Sequence, residues 1–155
     1  MSKEWISAEG FQKLEDEYHY LMKIERPQVV QQVADAAAEG DRSENAEYIY
    51  GKKKMREIDR RLKYLSGRMN RVEVKAPPLN TESVGFLSRV EVENLDTGEI
   101  KRFQVVGPDE SDVTGGKISY LSPIGQAMMG KGVDDDFEFK APGGERLYCI
   151  NSIEL

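Results

Sequence analysis

The chain has 155 residues, 39% hydrophobic and 32% charged, which is enough for one ordinary domain or two small ones. No stretch approaches the roughly 18 consecutive apolar residues of a membrane span, and the N-terminal segment is polar and periodic rather than signal-like. We therefore expect a cytoplasmic protein with no membrane partner, and the single Cys149 excludes disulfide frameworks and cysteine-pair metal sites.

The net charge of -6 is unevenly distributed along the chain. Residues 52–75 contain ten Lys and Arg against three Asp and Glu, whereas the segments on both sides are net acidic. The basic block can therefore face an anion that the rest of the chain repels.

Apolar residues from Phe11 to Val33 recur at helical spacing and predict one long helix with Ser7 as its N-cap. Pro27 falls inside this helix and creates a local conflict, because proline lacks the N–H that a helix interior needs and usually causes a kink.

A second helix is predicted after the break at Gly40, because apolar residues from Met55 onward follow 3-4 steps that form a heptad seam. Two helices of about 30 residues joined by a few residues must run antiparallel, giving a coiled-coil hairpin about 45 Å long over residues 1–75. Its tip is predicted at residues 39–43.

Residues 76–84 contain adjacent prolines and turn-forming residues, which predict a linker. Beyond it, residues 85–155 contain segments of alternating polarity around a turn at residues 96–98, and Ser122 and Pro123 begin a short helix. The second module is predicted to be a small antiparallel sheet with one short helix, so the fold class is α+β.

The predicted tip, GDRSENAEY at residues 40–48, contains the carboxylates Asp41, Glu44 and Glu47. One interpretation is a capping box, with Asp41 as N-cap and Glu44 at N3, although Ser43 is a rival cap. The other is a carboxylate pair that holds Mg²⁺ inside a partner molecule, since two side chains cannot fill the six oxygen positions of the ion.

A basic stripe is predicted on the second helix, because cations there recur at spacings of 3 and 4. Its members are Lys52, Lys53, Arg56, Arg60 and Lys63, extended by Arg61, Arg68 and Arg71. A stripe of one sign predicts contact with a phosphate backbone.

The run EGDRSENAEYIYGKKKMREIDRRLKYL resembles the helical hairpin of the Gre transcript cleavage factors, which are bacterial transcription elongation factors that act on RNA polymerase. The later segment SPIGQAMMGKGVDDDFEFKAPGG is similar to that family's second domain, which has an FKBP-like fold. The DRSEN tip and the dense run KKKMREIDRR resemble the GreB branch more than the GreA branch.

The resemblance implies that the hairpin enters the secondary channel of RNA polymerase and stimulates cleavage of the backtracked nascent RNA near its 3′ end. Asp41 and Glu44 would be the catalytic and Mg²⁺-binding residues, with the ion shared with the polymerase and none bound by the isolated protein. The implied supporting tip residues are Ser43, Asn45, Glu47 and Tyr48. The implied RNA-binding residues are Lys52, Lys53, Arg56, Arg60 and Arg61.

The same resemblance implies that Ser122, Pro123 and Ile124 dock on the rim of the channel. The protein would then be a monomer that joins a DNA-containing transcription complex and supplies groups in trans, without being an enzyme alone. Two other functions stay open: a channel-binding regulator without cleavage activity, and a free-standing RNA-binding coiled coil whose tip acids only cap a helix.

Overall fold

A computed structural model of the chain describes residues 3–40 and 45–155. Its contacts form two compact units, one over Phe11–Arg71 and one that joins residues 3–10 to Val72–Leu155. The N-terminal residues thus fold with the later part of the chain. The domain boundaries predicted at residues 75 and 85 stay predictions, and residues 75–87 contain no helix or strand.

Apart from residues 41–44, the first unit is built from three α-helices and one π-helical segment. Helix α1 covers Ala8–Tyr20, the π segment covers Leu21–Glu25, helix α2 covers Arg26–Ala38, and helix α3 covers Ala46–Arg71. Glu17 meets Arg61 and Ala36 meets Asn45, so α3 runs back along the first helical run. The predicted antiparallel hairpin is therefore confirmed.

The π segment explains how the first helical run continues through Pro27. A proline ring clashes with the carbonyl of the residue four positions earlier, which here is Lys23. In the π segment the Arg26 N–H instead donates to the Leu21 carbonyl, five positions back, and Pro27 occupies the first turn of α2. The wider turn accommodates the proline, so the predicted conflict changes the hydrogen bonding without ending the helical run.

The hairpin core follows the predicted seam. Its buried members are Leu21, Val29, Ile58, Leu62 and Leu65, with Leu14, Tyr18, Val33 and Met55 packed against them. Burying an aliphatic side chain contributes about 1.5–3 kcal/mol, so this row is the main source of the hairpin's stability. Close to the tip the helices approach tightly, because a Cβ on Gly51 would lie 2.6 Å from Val33 Cγ2.

From residue 3 onward, the second unit contains seven strands in two sheets. Strands β1 (Glu4–Ile6) and β2 (Val72–Val74) form a parallel pair. The larger sheet has the order β5-β4-β3-β7-β6. Its strands are β3 (Arg89–Asn94), β4 (Ile100–Val106), β5 (Lys117–Ser119), β6 (Asp136–Ala141) and β7 (Gly144–Glu154).

The prediction of a wholly antiparallel sheet was wrong in one place, since β5 pairs parallel to β4. After β4 the chain passes through a 3-10 turn at Pro108–Glu110 and a loop before it returns. This crossover brings β5 back in the direction of β4, and the sheet is therefore mixed. The fold class remains α+β.

Helix α4 (Pro123–Met128) packs against the larger sheet, and it begins at the residue where the sequence predicted. Met128 from this helix packs with Val90 and Val92 of β3 and with Ile150 of β7. The turn at residues 96–98 is confirmed as a hairpin between β3 and β4, with Gly98 at φ +77°.

The N-terminal segment of the second unit is held by side chains that lie far away in sequence. The Trp5 ring stacks on Tyr120 at 4.5 Å between ring centroids, and the Trp5 backbone N–H donates to the Tyr120 hydroxyl. Ser7 caps α1 as predicted, because its Oγ accepts the Gly10 N–H at 2.9 Å. The Ser7 N–H and hydroxyl both donate to the Glu110 carboxylate.

Within the described residues, none of the helices is long and apolar enough to cross a membrane.

Candidate nucleic-acid interface on the helical hairpin

Asn45 joins the two helix ends nearest the predicted tip. Its Nδ2 donates to the Ala36 carbonyl at 2.7 Å, near the C-terminus of α2, while its Oδ1 accepts the Tyr48 N–H at 3.1 Å. Asn45 is therefore the N-cap of α3 and also satisfies a carbonyl at the end of α2. The structure thus makes Asn45 a helix-start residue, and the supporting tip role that the resemblance implies for it stays a prediction.

Asp41, Ser43 and Glu44 lie outside the described residues, so their predicted roles stay predictions. Asn45 is the N-cap of α3, and it accepts the N–H of Tyr48, the third residue of the helix. The N-cap position of α3 is therefore filled by Asn45 and not by Asp41, which the predicted capping box placed there. The carboxylate oxygens of Asp41 and Glu44 are of the hard type that Mg²⁺ prefers, which fits the predicted metal chemistry. Among residues 3–40 and 45–155, no three His, Cys, Asp or Glu side chains cluster to hold a metal ion.

The other predicted tip residues lie in the first turns of α3. Glu47 is exposed, at the positive end of the helix dipole where a carboxylate is favourable. Tyr48 is half-buried, whereas Tyr50 is 64% exposed. Glu47 and Tyr48 are thus placed at the tip end of the helix, as predicted.

The basic stripe faces away from the buried seam. At about 100° per residue, Lys52, Lys53, Arg56, Arg60 and Lys63 occupy roughly 100° of the circumference of α3, on the side opposite Ile58, Leu62 and Leu65. Lys52 is half-buried and the other four are exposed. None of these five cations forms an ion pair with another residue in the described part of the chain. Their charge is therefore available to an external anion.

Arg61 differs from the other predicted RNA-binding residues because an ion pair holds it against the opposite helix, although its side chain is exposed. Its Nε and Nη2 donate to the two carboxylate oxygens of Glu17 at 2.6 and 2.9 Å. These bonds lower the pKa of Glu17 and raise that of Arg61. The Arg61 guanidinium also lies over the Tyr64 ring, 5.1 Å from its centroid.

Two further ion pairs connect the helices without using the stripe. Arg26 donates to Asp59 at 2.8 Å, and Lys54 lies 3.6 Å from Glu25. The bond to Asp59 raises the pKa of Arg26. The three cross-helix pairs found among the described residues are at least partly exposed, so each contributes at most about 1 kcal/mol and mainly sets how the helices are aligned.

The predicted docking turn precedes α4 and is rigidly built. The Ser122 hydroxyl donates to the Ser119 carbonyl at 2.6 Å and accepts the Gly125 N–H at 3.1 Å as the N-cap of α4. Ile124 packs against the core, whereas Pro123 is exposed beside Leu121, which is 44% exposed. Pro123 and Leu121 therefore give the turn an apolar exposed surface, and the hydrogen bonds of Ser122 fix the backbone beneath it.

Sequence reasoning missed the cluster of Glu17, Arg61 and Tyr64. The spacing of Arg61 and Tyr64, three residues apart on a helix, could have indicated their contact. The carboxylate comes from another helix, 44 residues earlier, and no local pattern could have indicated it.

Family models match both parts of the chain. Residues 4–74 match the model described as "Transcription elongation factor, N-terminal", and residues 79–155 match "Transcription elongation factor, GreA/GreB, C-term".

Curated relatives are similar over nearly the whole chain. Transcription elongation factor GreB of Yersinia pestis is 48% identical over 150 residues, covering 96% of this chain and 87% of the relative. GreB of Haemophilus ducreyi is 47% identical, covering 96% and 92%. GreA of Thermodesulfovibrio yellowstonii is 43% identical, covering 97% and 96%. Among solved structures, Gfh1 of Thermus thermophilus matches with a TM-score of 0.45 at 24% identity, covering 99% of each chain.

Proposed function

The chain belongs to the GreA/GreB family of transcription elongation factors and is GreB-like, and we propose that it stimulates RNA polymerase to cleave its own backtracked transcript. In this proposal the hairpin enters the secondary channel of the polymerase and rescues arrested complexes. The observation that carries it is the row of cations on α3 that have no ion-pair partner among the described residues, on the helix that follows Asp41 and Glu44 in the sequence.

The tip residues have separate tasks in this proposal. Asp41 and Glu44 would hold the shared Mg²⁺ together with groups of the polymerase, and the ion would supply Lewis-acid stabilisation of charge on the phosphoryl oxygens. Asn45 links the end of α2 to the start of α3, because its side chain bonds to the backbone of both helices. The chain would thus supply groups in trans and would not be an enzyme alone.

The RNA is held by charge. Phosphates of the extruded strand contact Lys52, Lys53, Arg56 and Arg60, which the structure leaves without anionic partners within the described residues. The apolar surface at Pro123 and Leu121 docks on the rim of the channel, and the protein acts as a monomer in the DNA-containing transcription complex.

Cleavage assays with purified backtracked elongation complexes and Mg²⁺ test the tip. We expect Asp41→Ala and Glu44→Ala each to abolish most of the stimulation while polymerase binding, measured in parallel, survives. Glu57→Ala is the matched control, because Glu57 is an exposed carboxylate in the described part of α3, ten residues or more from the two tip acids in sequence. If the wild-type protein binds without stimulating cleavage, the alternative of a secondary-channel regulator without cleavage activity replaces this proposal.

A further inference from the structure

Tyr64 is an exposed aromatic side chain on an otherwise polar part of α3. Its side chain is 51% exposed, although a tyrosine ring gains free energy when it is covered. The Arg61 guanidinium lies over the ring, 5.1 Å from the ring centroid, in the geometry of a cation–π contact. The ring is therefore supported from within the hairpin while half of its surface still faces outward.

The support under the ring is itself fixed. Two of the three donor nitrogens of Arg61, Nε and Nη2, are bonded to Glu17 on the opposite helix, which restricts the rotamers of the arginine. An arginine held in this way restricts Tyr64 in turn. A ligand that stacks on the ring then loses less side-chain entropy than it would on a free tyrosine.

The charges around Tyr64 select a negatively charged ligand. Arg60, four residues earlier, and Lys63, the preceding residue, belong to the basic stripe and have no ion-pair partner in the described part of the chain. A protein surface packing on Tyr64 would have to neutralise these cations with carboxylates. A single-stranded nucleic acid supplies a flat apolar base and a phosphate in every nucleotide.

We propose that Tyr64 is a base-stacking residue for the extruded single-stranded RNA, with Arg61 and Glu17 as positioning residues that hold its ring. This inference rests on the proposed function, because it needs the transcript to run along α3. It also changes the predicted role of Arg61: the arginine supports the ring, and the phosphates are contacted by Arg60 and Lys63.

The position of Tyr64 sets the RNA length at which it acts. From Asn45 to Tyr64 the helix rises about 28 Å at 1.5 Å per residue. A stacked strand advances about 3.4 Å per nucleotide, so about eight nucleotides are needed to reach the ring from the tip, and fewer if the strand is stretched. Tyr64 therefore acts only on long backtracked segments.

The test compares cleavage rates at limiting protein in complexes backtracked by about two and about ten nucleotides, on either side of that length. We expect Tyr64→Ala to lower the rate about fivefold on the long segment only, and Tyr64→Phe to match wild type, because base stacking needs the ring and not the hydroxyl. Tyr20→Ala is the matched control, since Tyr20 is 53% exposed but lies one turn from the acids Asp16 and Glu17.

A second readout separates stacking from a structural role. With 2-aminopurine in the extruded RNA, stacking on Tyr64 quenches the base, and we expect Tyr64→Ala to restore fluorescence only for probes near the position that reaches the ring. Equal losses of cleavage on both segments, weaker polymerase binding by Tyr64→Ala, or unchanged fluorescence would each overturn the inference. If wild type stimulates no cleavage on either segment, the proposed function itself fails.

Discussion

The hairpin and the sheet unit use their polar side chains in opposite ways. In the sheet unit, Ser7, Glu110 and Ser122 are bonded to backbone or to each other, and they hold turns and helix starts in place. On α3, Arg56 and Arg60 point outward with no ion-pair partner among the described residues. Polar groups that are satisfied internally stabilise a shape, whereas unsatisfied charges are available to a ligand.

The difference indicates how each unit binds. The sheet unit offers an apolar turn before α4, and the part-buried hydrogen bonds of the Ser122 hydroxyl fix its geometry. Such a turn suits docking on a defined protein surface. The hairpin offers charge along a helix, which suits a strand that must move past it, since electrostatic contacts to phosphates do not depend on sequence. Variants that remove charge should therefore affect the two units differently.

The largest expected effect comes from removing cations near the tip. The triple variant Lys52→Ala, Lys53→Ala and Arg56→Ala should lower cleavage of long backtracked transcripts at least about tenfold without weakening polymerase docking, because about three phosphate contacts are lost. A plot of the logarithm of RNA affinity against the logarithm of salt concentration should also be less steep for the variant than for wild type, with a slope smaller in magnitude by about two. Cleavage titrations at several salt concentrations measure both effects.

A matched triple variant of the sheet unit makes the comparison strict. Lys101→Ala, Lys117→Ala and Lys140→Ala remove the same charge from exposed positions in β4, β5 and β6. This variant should leave the salt dependence unchanged. An equal loss in both triple variants would mean that net charge, and not the stripe, attracts the RNA.

An intermediate effect is expected at Asn45, whose side chain bonds to backbone as Ser7 and Ser122 do in the sheet unit. Asn45→Ala removes the cap of α3 and the bond to Ala36, which should cost about 1–2 kcal/mol of unfolding free energy. Denaturant unfolding followed by circular dichroism measures this loss.

Two variants separate the parts of the Asn45 effect. Asn45→Asp keeps the oxygen that accepts the Tyr48 N–H but cannot donate to Ala36, so it should retain part of the stability. Asn70→Ala, at an exposed asparagine near the other end of α3, should change stability by less than about 0.5 kcal/mol. Equal stability of Asn45→Ala and wild type would contradict the bridging role.

The smallest effect concerns the pair of Glu17 and Arg61. The hydrogen bond from Arg61 holds the pKa of Glu17 below its ordinary value of 4.5. The pair therefore stabilises the hairpin fully above pH 4.5, and this stabilisation is lost as the pH falls through the lowered pKa. Because both side chains are more than a third exposed, screening limits the contribution to a fraction of 1 kcal/mol.

Glu17→Gln should therefore reduce the difference in unfolding free energy between pH 6 and pH 3 by a fraction of about 1 kcal/mol. The two values, about 6 and about 3, lie above and below the ordinary carboxyl pKa of about 4, and thermal unfolding at each pH measures the difference. Asp16→Gln, the neighbouring exposed acid, provides the comparison. A greater stability of Glu17→Gln at pH 6 would show that the ion pair does not stabilise the hairpin.

Periodic local patterns predicted much of the fold. The heptad seam from Met55 to Leu65 indicated the buried face of α3, and Ser122 with Pro123 indicated the start of α4. The π segment was missed because its hydrogen-bond shift has no periodic signature of its own. Strand β1 was missed because it has three residues and pairs with β2, more than 60 residues later.

The candidate site was predictable where it depends on charge and spacing, as in the basic stripe. It was not predictable where it depends on contacts between helices. Arg60 and Arg61 are adjacent and chemically identical, yet one faces solvent and the other is bonded to Glu17. That difference arises from a tertiary contact, which spacing along one helix cannot show.

Trp5, which stacks on Tyr120, and the helices of the hairpin give the protein two separate optical signals. Trp5 is the single tryptophan of the chain and lies in the sheet unit, so its emission spectrum reports on that unit. Far-ultraviolet ellipticity comes mostly from α1, α2 and α3, which lie largely in the hairpin. Coincident melting of the two signals would indicate a single cooperative transition, and separate melting would give each unit its own midpoint without cutting the chain.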